Sequence, residues 1–435
     1  MEDSMNVAVI GLGRLGLPML AVFAEAGHRV VGLDIDEGRI ADLQNGKQDY
    51  VDEPGLDEIL AKYEITYTTD YADISGADYA FVVVNTPPIP SGRLDSSQIT
   101  SALNSIEEMK YPPEDVVITS TTQPGDMEYL ANQYPVLKLI YQPQFIALGT
   151  VIDGLWAPDM ALYGVREDQP RPQELQVFWE TVYLSPIGGP PVFVTNYTNA
   201  ELIKISLNAY LCTKIAFMNS LAEYCEMSDN ADANIVLEGL DLDSRVNSCY
   251  MKPGMGYGGT CFPKDLEAYN YALDKKTSAF LTKYIPRINQ YHNKRFADLA
   301  SWTKTAAVLG LTYKPGVPVR ERAQADDLIV ALRRVCERVK TFDPSCKLGK
   351  IYGKAVLDNV EDCATMEEAV KDAGIVFICT AWPEFRDLKF DGPIVDCCGL
   401  GVDGEDVILP GRSFSKCSGR IRDKSESLFQ GQEDS

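Results

Sequence analysis

Residues 6–36, "NVAVIGLGRLGLPMLAVFAEAGHRVVGLDID", constrain this chain more than any other stretch. An apolar strand, Val7 to Ile10, is expected to run into a turn with glycines at positions 11, 13 and 16. An amphipathic helix to about Ala26 follows, then a second strand ending at Asp34. Gly11 and Gly13 permit a tight turn and close approach of backbone to a phosphate, and Gly16 lets helix and strand pack closely. A pyrophosphate can then rest on the helix N-terminus. Asp34, 23 residues past Gly11, can accept both ribose hydroxyls and would repel a 2′-phosphate, which selects NAD over NADP. The expected cofactor contacts here are Gly11, Gly13, Arg14, Leu15, Gly16, Asp34 and Arg39.

Further strands are expected at "ADYAFVVVNTP" and "DVVITST", because strands of a parallel sheet buried on both faces read as continuous apolar runs. A more polar stretch begins near Arg166, and "PVFVTN" adds a strand before Asn199. From Asn199 the period changes. No Gly or Pro interrupts residues 200–227, and Leu202, Ile205 and Ala209 form a stripe on a helix that is apolar nearly all round. Such a helix should lie between domains or subunits. A looped segment from Gly239 to Gly259 leads to a helix expected to start at Pro263, and a helical pattern over 278–301 is disturbed by Pro286. "TAAVLGLTYKPG" then opens a second α/β unit, with a helix through "DDLIVALRRVCERV" and strands in "VKTFDP" and "AGIVFICTAWPEF".

The sequence therefore predicts an α/β fold of two Rossmann-like, doubly wound parallel-sheet domains joined by a long central helical region. The expected boundaries are 1–198 for the NAD-binding domain, 199–302 for the helical centre and 303–417 for the second sheet. Residues 418–435, polar and acidic, are expected to form a disordered tail.

Sixty-three Asp and Glu against 40 Lys and Arg give a formal net charge of -23, which opposes binding to nucleic acid or an anionic membrane. The first residues show no basic region before an apolar core, so no secretory signal is expected, and no run is long enough to span a bilayer. Eleven cysteines without a CxxC pair, and only His28 and His292, argue against a bound metal. A reduced, cytoplasmic protein is the expectation.

"MGYGGTCFPKD", residues 255–265, holds the residue most suggestive of chemistry. Pro263 suits a first helical turn, placing Cys261 just outside a helix N-terminus with Lys264 nearby, an arrangement that favours a thiolate. Gly258 and Gly259 allow close approach to the backbone, and Asp265 can orient an amine or receive a proton. Beside a dinucleotide site, such a thiol suggests oxidation beyond an aldehyde, through a thiohemiacetal and a thioester. A buried cysteine serving as a small hydrophobe is the alternative. Lys204 and Asn208, four apart on the long helix, can together hold a developing alkoxide. A snorkelling lysine and an interhelical asparagine would fit equally well. Lys314, Arg320 and Arg322 of "TYKPGVPVRER" either hold the phosphates of a sugar nucleotide or form solvated surface.

With "GLGRLGLP", "STTQPG", "AELIKISLNAYLCTKIAFMNSLAE", "GMGYGGTCFPKD" and "LGLTYKPG" in this order, the chain resembles the UDP-glucose/GDP-mannose dehydrogenases as far as about Gly399. The resemblance implies NAD-dependent oxidation of the C6 primary alcohol of a nucleotide sugar, UDP-glucose by default, to the uronic acid in two steps. It implies an N-terminal NAD domain, a central helix that builds a homodimer or a higher even oligomer, and a C-terminal domain that helps hold the nucleotide. It makes Cys261 the thioester nucleophile, Lys204 the base or oxyanion stabiliser, Asn208 its helper and Asp265 the partner of Lys204. Thr121 resembles the threonine that orders water near the sugar, and Thr86, Thr121 and Lys264 resemble cofactor contacts. Phe145, Leu148, Lys204, Asn208, Tyr250, Lys252, Gly256, Tyr313 and Lys314 fall at positions that line the sugar-nucleotide pocket. Arg245 resembles an arginine that reaches into the neighbouring subunit's site.

Two departures stand out. Where the family has "PEF" and a second acid three residues on, this chain reads "PQFIAL", with Gln144 and Leu148. Gln144 makes hydrogen bonds but cannot act as a carboxylate base at neutral pH. Thioester hydrolysis is therefore expected to be slow, or to borrow a base from Asp159 or Lys204; a relative that releases an aldehyde, takes another sugar, or only binds sugar nucleotides is the alternative. The arginine of the family's "KPxTxDxRES" region is out of register, with Arg320 one place early and Glu321 in its slot, so the NAD contact falls to Arg320 or Arg322.

Overall fold

The computed structural model describes residues 4–48, 51–166, 168, 172–183, 189–274, 280–349, 351, 358–402, 404 and 406–413. The expected disordered tail lies outside these described residues. The chain folds into two units, residues 1–207 with 267–277, and residues 208–266 with 278–435.

The first unit is built on an eight-stranded sheet. Its strands are β1 (Asn6–Ile10), β2 (Arg29–Leu33), β3 (Thr66–Thr68), β4 (Tyr79–Val82), β5 (Asp115–Ile118), β6 (Leu139–Tyr141), β7 (Ala161–Val165) and β8 (Val192–Asn196). They lie in the order β3-β2-β1-β4-β5-β6-β7-β8. Alternate residues of β1 feed opposite faces: Val7 and Val9 join one core, Ala8 and Ile10 the other. That two-sided burial is why the strands read as unbroken apolar runs.

One expectation needs correction here, and one strand was not foreseen. The Gly16–Glu25 helix is not two-faced: every residue from Gly16 to Ala24 is buried, because the Leu56–Lys62 and Val151–Trp156 helices pack on it beside the strands. The sheet is also not wholly parallel. Strand β7, which the sequence pattern did not reveal, runs antiparallel to β6 through Tyr141 and Gly164, and β8 then pairs parallel with β7.

The second unit carries β9 (Thr305–Leu309), β10 (Arg338–Phe342), β11 (Val360–Asp362), β12 (Ile375–Ile378), β13 (Ile394–Asp396) and β14 (Val407–Ile408). All pair in parallel, in the order β11-β10-β9-β12-β13-β14. That is the order of the first six strands of the other unit, so both are Rossmann-like sheets. Between them in sequence runs the helical stretch: Tyr197–Met227, Ala233–Asp241, Cys261–Asp274 and Phe280–Arg295, the last with Pro286 inside it. The loop expected from Gly239 therefore begins later, because Gly239 still lies within a helix.

The long helix buries Ala200, Ile205, Ala209, Cys212, Met218, Ala222 and Cys225 but exposes Tyr210, Phe217 and Tyr224, one every seven residues. Among the described residues, no helix is long and apolar enough to cross a membrane.

Candidate active site

In the first unit, the candidate residues collect at the carboxyl ends of parallel strands, where open α/β sheets take their ligands. Gly11 to Gly16 follow β1, Asp34 and Arg39 follow β2, Thr86 follows β4, Thr121 follows β5, and Gln144, Phe145 and Leu148 follow β6. The glycine turn is closed by contact with itself. A Cβ at Gly16 would lie 1.9 Å from the Gly11 carbonyl oxygen, and a Cβ at Gly11 would lie 2.6 Å from that of Val83. Gly13 instead faces open space, with nothing within 4 Å of where its Cβ would stand. A phosphate can therefore approach the backbone there.

Asp34 is buried and accepts hydrogen bonds from the Leu12 N–H at 2.8 Å and the Asp36 N–H at 3.0 Å. The Arg39 guanidinium pairs with it at 2.7 Å. The carboxylate is thus anchored to the glycine turn itself. Leu15 flanks the turn, half-buried against the core, and Arg14 is exposed. The residues present fit a dinucleotide.

Beyond β4 and β5, the Thr86 hydroxyl donates to the Thr121 carbonyl at 2.7 Å and ties the two strand ends together. Lys204 is buried on the long helix, and its ammonium donates to the Gln144 carbonyl at 2.8 Å while standing 4.9 Å from the Phe145 ring centroid. Lys204, Gln144 and Phe145, three sequence candidates, are thus brought together in this unit. Leu148 packs against the core.

Sequence reasoning passed over Glu201, a fully buried acid on an apolar helix. Its carboxylate accepts from the N–H groups of Gly125 at 2.6 Å and Met127 at 2.8 Å, and from the Thr122 hydroxyl at 2.9 Å. It fastens the loop that carries Thr121. Burial pushes this carboxyl up to about 7 from its ordinary 4.5, against those hydrogen bonds, which pull it down. Because the folded-state value is the higher one, ionisation of Glu201 costs stability as pH rises through that interval. At pH 5 the acid is protonated, and Glu201→Gln replaces a hydroxyl oxygen that still accepts through a lone pair by an NH2 that cannot, so it is expected to lose about 1–3 kcal/mol there. That deficit should narrow toward pH 7.5, since only the wild type pays for ionisation; denaturant unfolding of both proteins across this range measures it.

In the second unit, Cys261 is exposed. It is the first residue of its helix rather than just outside it, and Pro263 lies within the first turn. The small-hydrophobe alternative does not describe an exposed thiol. Behind it, buried Asp265 accepts from Asn208 Nδ2 at 2.6 Å and pairs with Lys264 Nζ at 3.0 Å. Asn208, Lys264 and Asp265 therefore form one group.

The Tyr313 ring lies against Gly259, whose Cβ would fall 2.8 Å from it, and the Lys314 ammonium stands 5.9 Å from that ring's centroid. "GYGGT" and "LTYKPG", more than fifty residues apart, are thus neighbours. The Lys252 ammonium donates to the Gly399 carbonyl at 3.3 Å. Tyr250 adopts the left-handed region at φ 65° and sets its ring 5.9 Å from that of Phe262. Arg320 pairs with Asp326, whose carboxyl burial pushes up to about 6 while this guanidinium pulls it down. Arg245 is exposed and pairs with Asp243 two residues away.

Profiles of the UDP-glucose/GDP-mannose dehydrogenase family match three stretches of the chain. Its NAD binding domain matches residues 5–183, its central domain 198–291 and its UDP binding domain 307–398. The UDP-glucose 6-dehydrogenase AglM of Haloferax volcanii is 33% identical over 417 residues, covering 89% of this chain and 94% of that protein. The UDP-glucose 6-dehydrogenase YwqF of Bacillus subtilis is 31% identical over 406 residues, covering 88% and 89%. A UDP-glucose dehydrogenase from Pyrobaculum islandicum has a similar structure, with a TM-score of 0.77 at 26% identity over 91% of this chain and 94% of that one. The UDP-N-acetyl-mannosamine dehydrogenase Cap5O from Staphylococcus aureus gives 0.75 at 25% identity, over 96% and 100%.

Proposed function

Because this chain belongs to the UDP-glucose/GDP-mannose dehydrogenase family, we propose that it oxidises the C6 primary alcohol of a nucleotide sugar to the uronic acid. The observation that carries this reading is an exposed thiol, Cys261, at the start of a helix in a chain that also bears an open glycine turn for a dinucleotide. UDP-glucose is the first substrate to test, since the Haloferax and Bacillus relatives are named for it. The fold does not choose the sugar, because dehydrogenases named for glucose and for N-acetylmannosamine resemble this chain almost equally.

In this mechanism Lys204 and Asn208, one turn apart on the long helix, stabilise the oxygen of C6 as its proton is lost. Asp265 holds Asn208 and Lys264. NAD, when bound, accepts a hydride in each of the two oxidations. Cys261 Sγ adds to the aldehyde carbon to give a thiohemiacetal, whose oxidation leaves a thioester on the same sulfur. Water then cleaves that thioester and returns the thiol. Alcohol, water and two NAD+ give carboxylate, two NADH and three protons.

The test is a panel of UDP-glucose, UDP-N-acetylmannosamine and GDP-mannose, each with NAD, following NADH per sugar and product mass. Two NADH and a uronate from one member are expected. One NADH with an aldehyde would point to the truncated reaction that Gln144 and Leu148 make the second reading, and no NADH from any would reject the activity.

Gln144 meets Lys204 through its backbone carbonyl and carries no carboxylate, which supports slow cleavage of the thioester. Glu in its place supplies a base, and general-base assistance contributes about 10²–10⁴-fold. Gln144→Glu is therefore expected to raise kcat by about tenfold or more where hydrolysis limits turnover; steady-state NADH rates for the two proteins decide it. The exposed aromatic stripe of Tyr210, Phe217 and Tyr224 supports a homodimer formed through the long helix.

A further inference from the structure

Residues Gly254 to Tyr257 belong to no helix or strand and are almost wholly buried, so their backbone groups need partners from elsewhere. Side chains supply nearly all of them. The Gly254 N–H donates to Asn219 Oδ1 at 3.2 Å, and its carbonyl lies 2.6 Å from His292 Nε2. The Met255 N–H donates to the Cys397 carbonyl at 2.9 Å. The Gly256 N–H donates to Asn293 Oδ1, and its carbonyl accepts from Gln324 Nε2, both at 2.8 Å. At Tyr257 one amide does both jobs: Asn289 Oδ1 accepts the N–H at 2.8 Å and Asn289 Nδ2 donates to the carbonyl at 3.0 Å.

Asn289, His292 and Asn293 share a face of the Phe280–Arg295 helix through their three- and four-residue spacing. They close directly onto the loop. A Cβ at Gly256 would fall 1.9 Å from Asn289 Oδ1 and 3.0 Å from Asn293 Oδ1. The bidentate hold on Tyr257 lies four residues before Cys261, and a further tie follows at Gly259, whose N–H donates to the Glu321 carbonyl at 3.2 Å.

Resting on the oxidation proposed above, we infer that Asn289 is a positioning residue for the Cys261 thiol. By fixing both polar groups of Tyr257, it sets, together with the Gly259 tie to Glu321, the path by which the chain enters the Cys261–Asp274 helix, and so where Sγ stands. A misplacement of about 1 Å at a reacting group costs about 10²-fold in rate without a matching loss of substrate affinity.

The test uses the full chain with Asn289→Ala and Asn289→Asp, measuring kcat and KM with UDP-glucose and NAD, thermal midpoints, and amide hydrogen exchange over 254–260. Asn289→Ala is expected to lower kcat by about 10–100-fold with KM for UDP-glucose within about threefold. It should also speed exchange over 254–260 while β9 and β10 stay protected. Asn289→Asp keeps the acceptor for the Tyr257 N–H but turns a carboxylate oxygen toward the Tyr257 carbonyl in place of the donor, so it should change the same two readouts in the same direction, even if the alanine variant does not fold. A lower thermal midpoint with kcat per folded molecule unchanged would overturn the assignment, as would unaltered loop exchange in both variants. Inactivity of the wild type toward UDP-glucose would count against the function proposed above and not against Asn289, and the exchange result would then decide.

Discussion

Cys261→Ser is expected to abolish uronate formation, lowering it by about 10³-fold or more, as the loss of a covalent nucleophile does. A serine hydroxyl is the right size for the site but is scarcely ionised near neutral pH, so the aldehyde carbon meets no competent nucleophile. Removal of the first hydride does not require the sulfur. The variant should therefore give no more than one NADH per sugar, where the wild type should give two. The fold should be untouched, because Cys261 is exposed and its Sγ lies only 3.5 Å from the neighbouring Thr260 hydroxyl. Cys249→Ser is the control: Cys249 is the other exposed cysteine among the described residues, and its loss should leave uronate formation intact. NADH stoichiometry and product mass for the two variants check this directly.

The second large effect is at Gly16. Its missing Cβ would stand 1.9 Å from a backbone oxygen, that of Gly11, and 3.5 Å from Val83 Cβ. A flexible side chain could swing aside; the backbone of the turn cannot. Gly16→Ala must push the Gly11–Gly16 turn away from the helix start, at a cost of about 1–3 kcal/mol or more. It also moves the N–H groups that the proposed NAD site offers to the pyrophosphate. NAD should accordingly lose its ability to raise the thermal midpoint, a ligand effect that grows with affinity. Gly13→Ala is the informative comparison, since that position faces open space in the chain alone. It should fold normally and lose NAD stabilisation only, through a methyl placed where the phosphate comes. Thermal melts with and without NAD separate the two cases.

The parts of this protein that were legible in its sequence are those encoded in one continuous stretch. The glycine turn, the strand before it and Asp34 after it lie within 29 residues, and their spacing is itself the geometry. Cys261 stood out for the same reason, as a cysteine between paired glycines and a proline. What escaped was set by contacts distant in sequence. Asn289 and Asn293 read as the polar side of an amphipathic helix, yet their amides face a loop more than thirty residues earlier. Glu201 was hidden in an apolar helix, where a buried acid is visible only once the N–H groups around Gly125 are seen to need it. The burial of the Gly16–Glu25 helix on all sides came from two later helices that cover its outer face. The aromatic stripe at Tyr210, Phe217 and Tyr224 could not be told from the buried faces of the same helix, because apolar residues occupy nearly every side of it.

The most direct measurement acid-quenches the wild-type protein at successive times in its first turnover with UDP-glucose and NAD, and weighs the peptide that carries Cys261. A UDP-glucuronyl mass on that peptide, rising before free uronate and decaying as uronate appears, is the result this account requires. Uronate accumulating while the peptide stays unmodified at every time would mean that the sulfur never held the sugar.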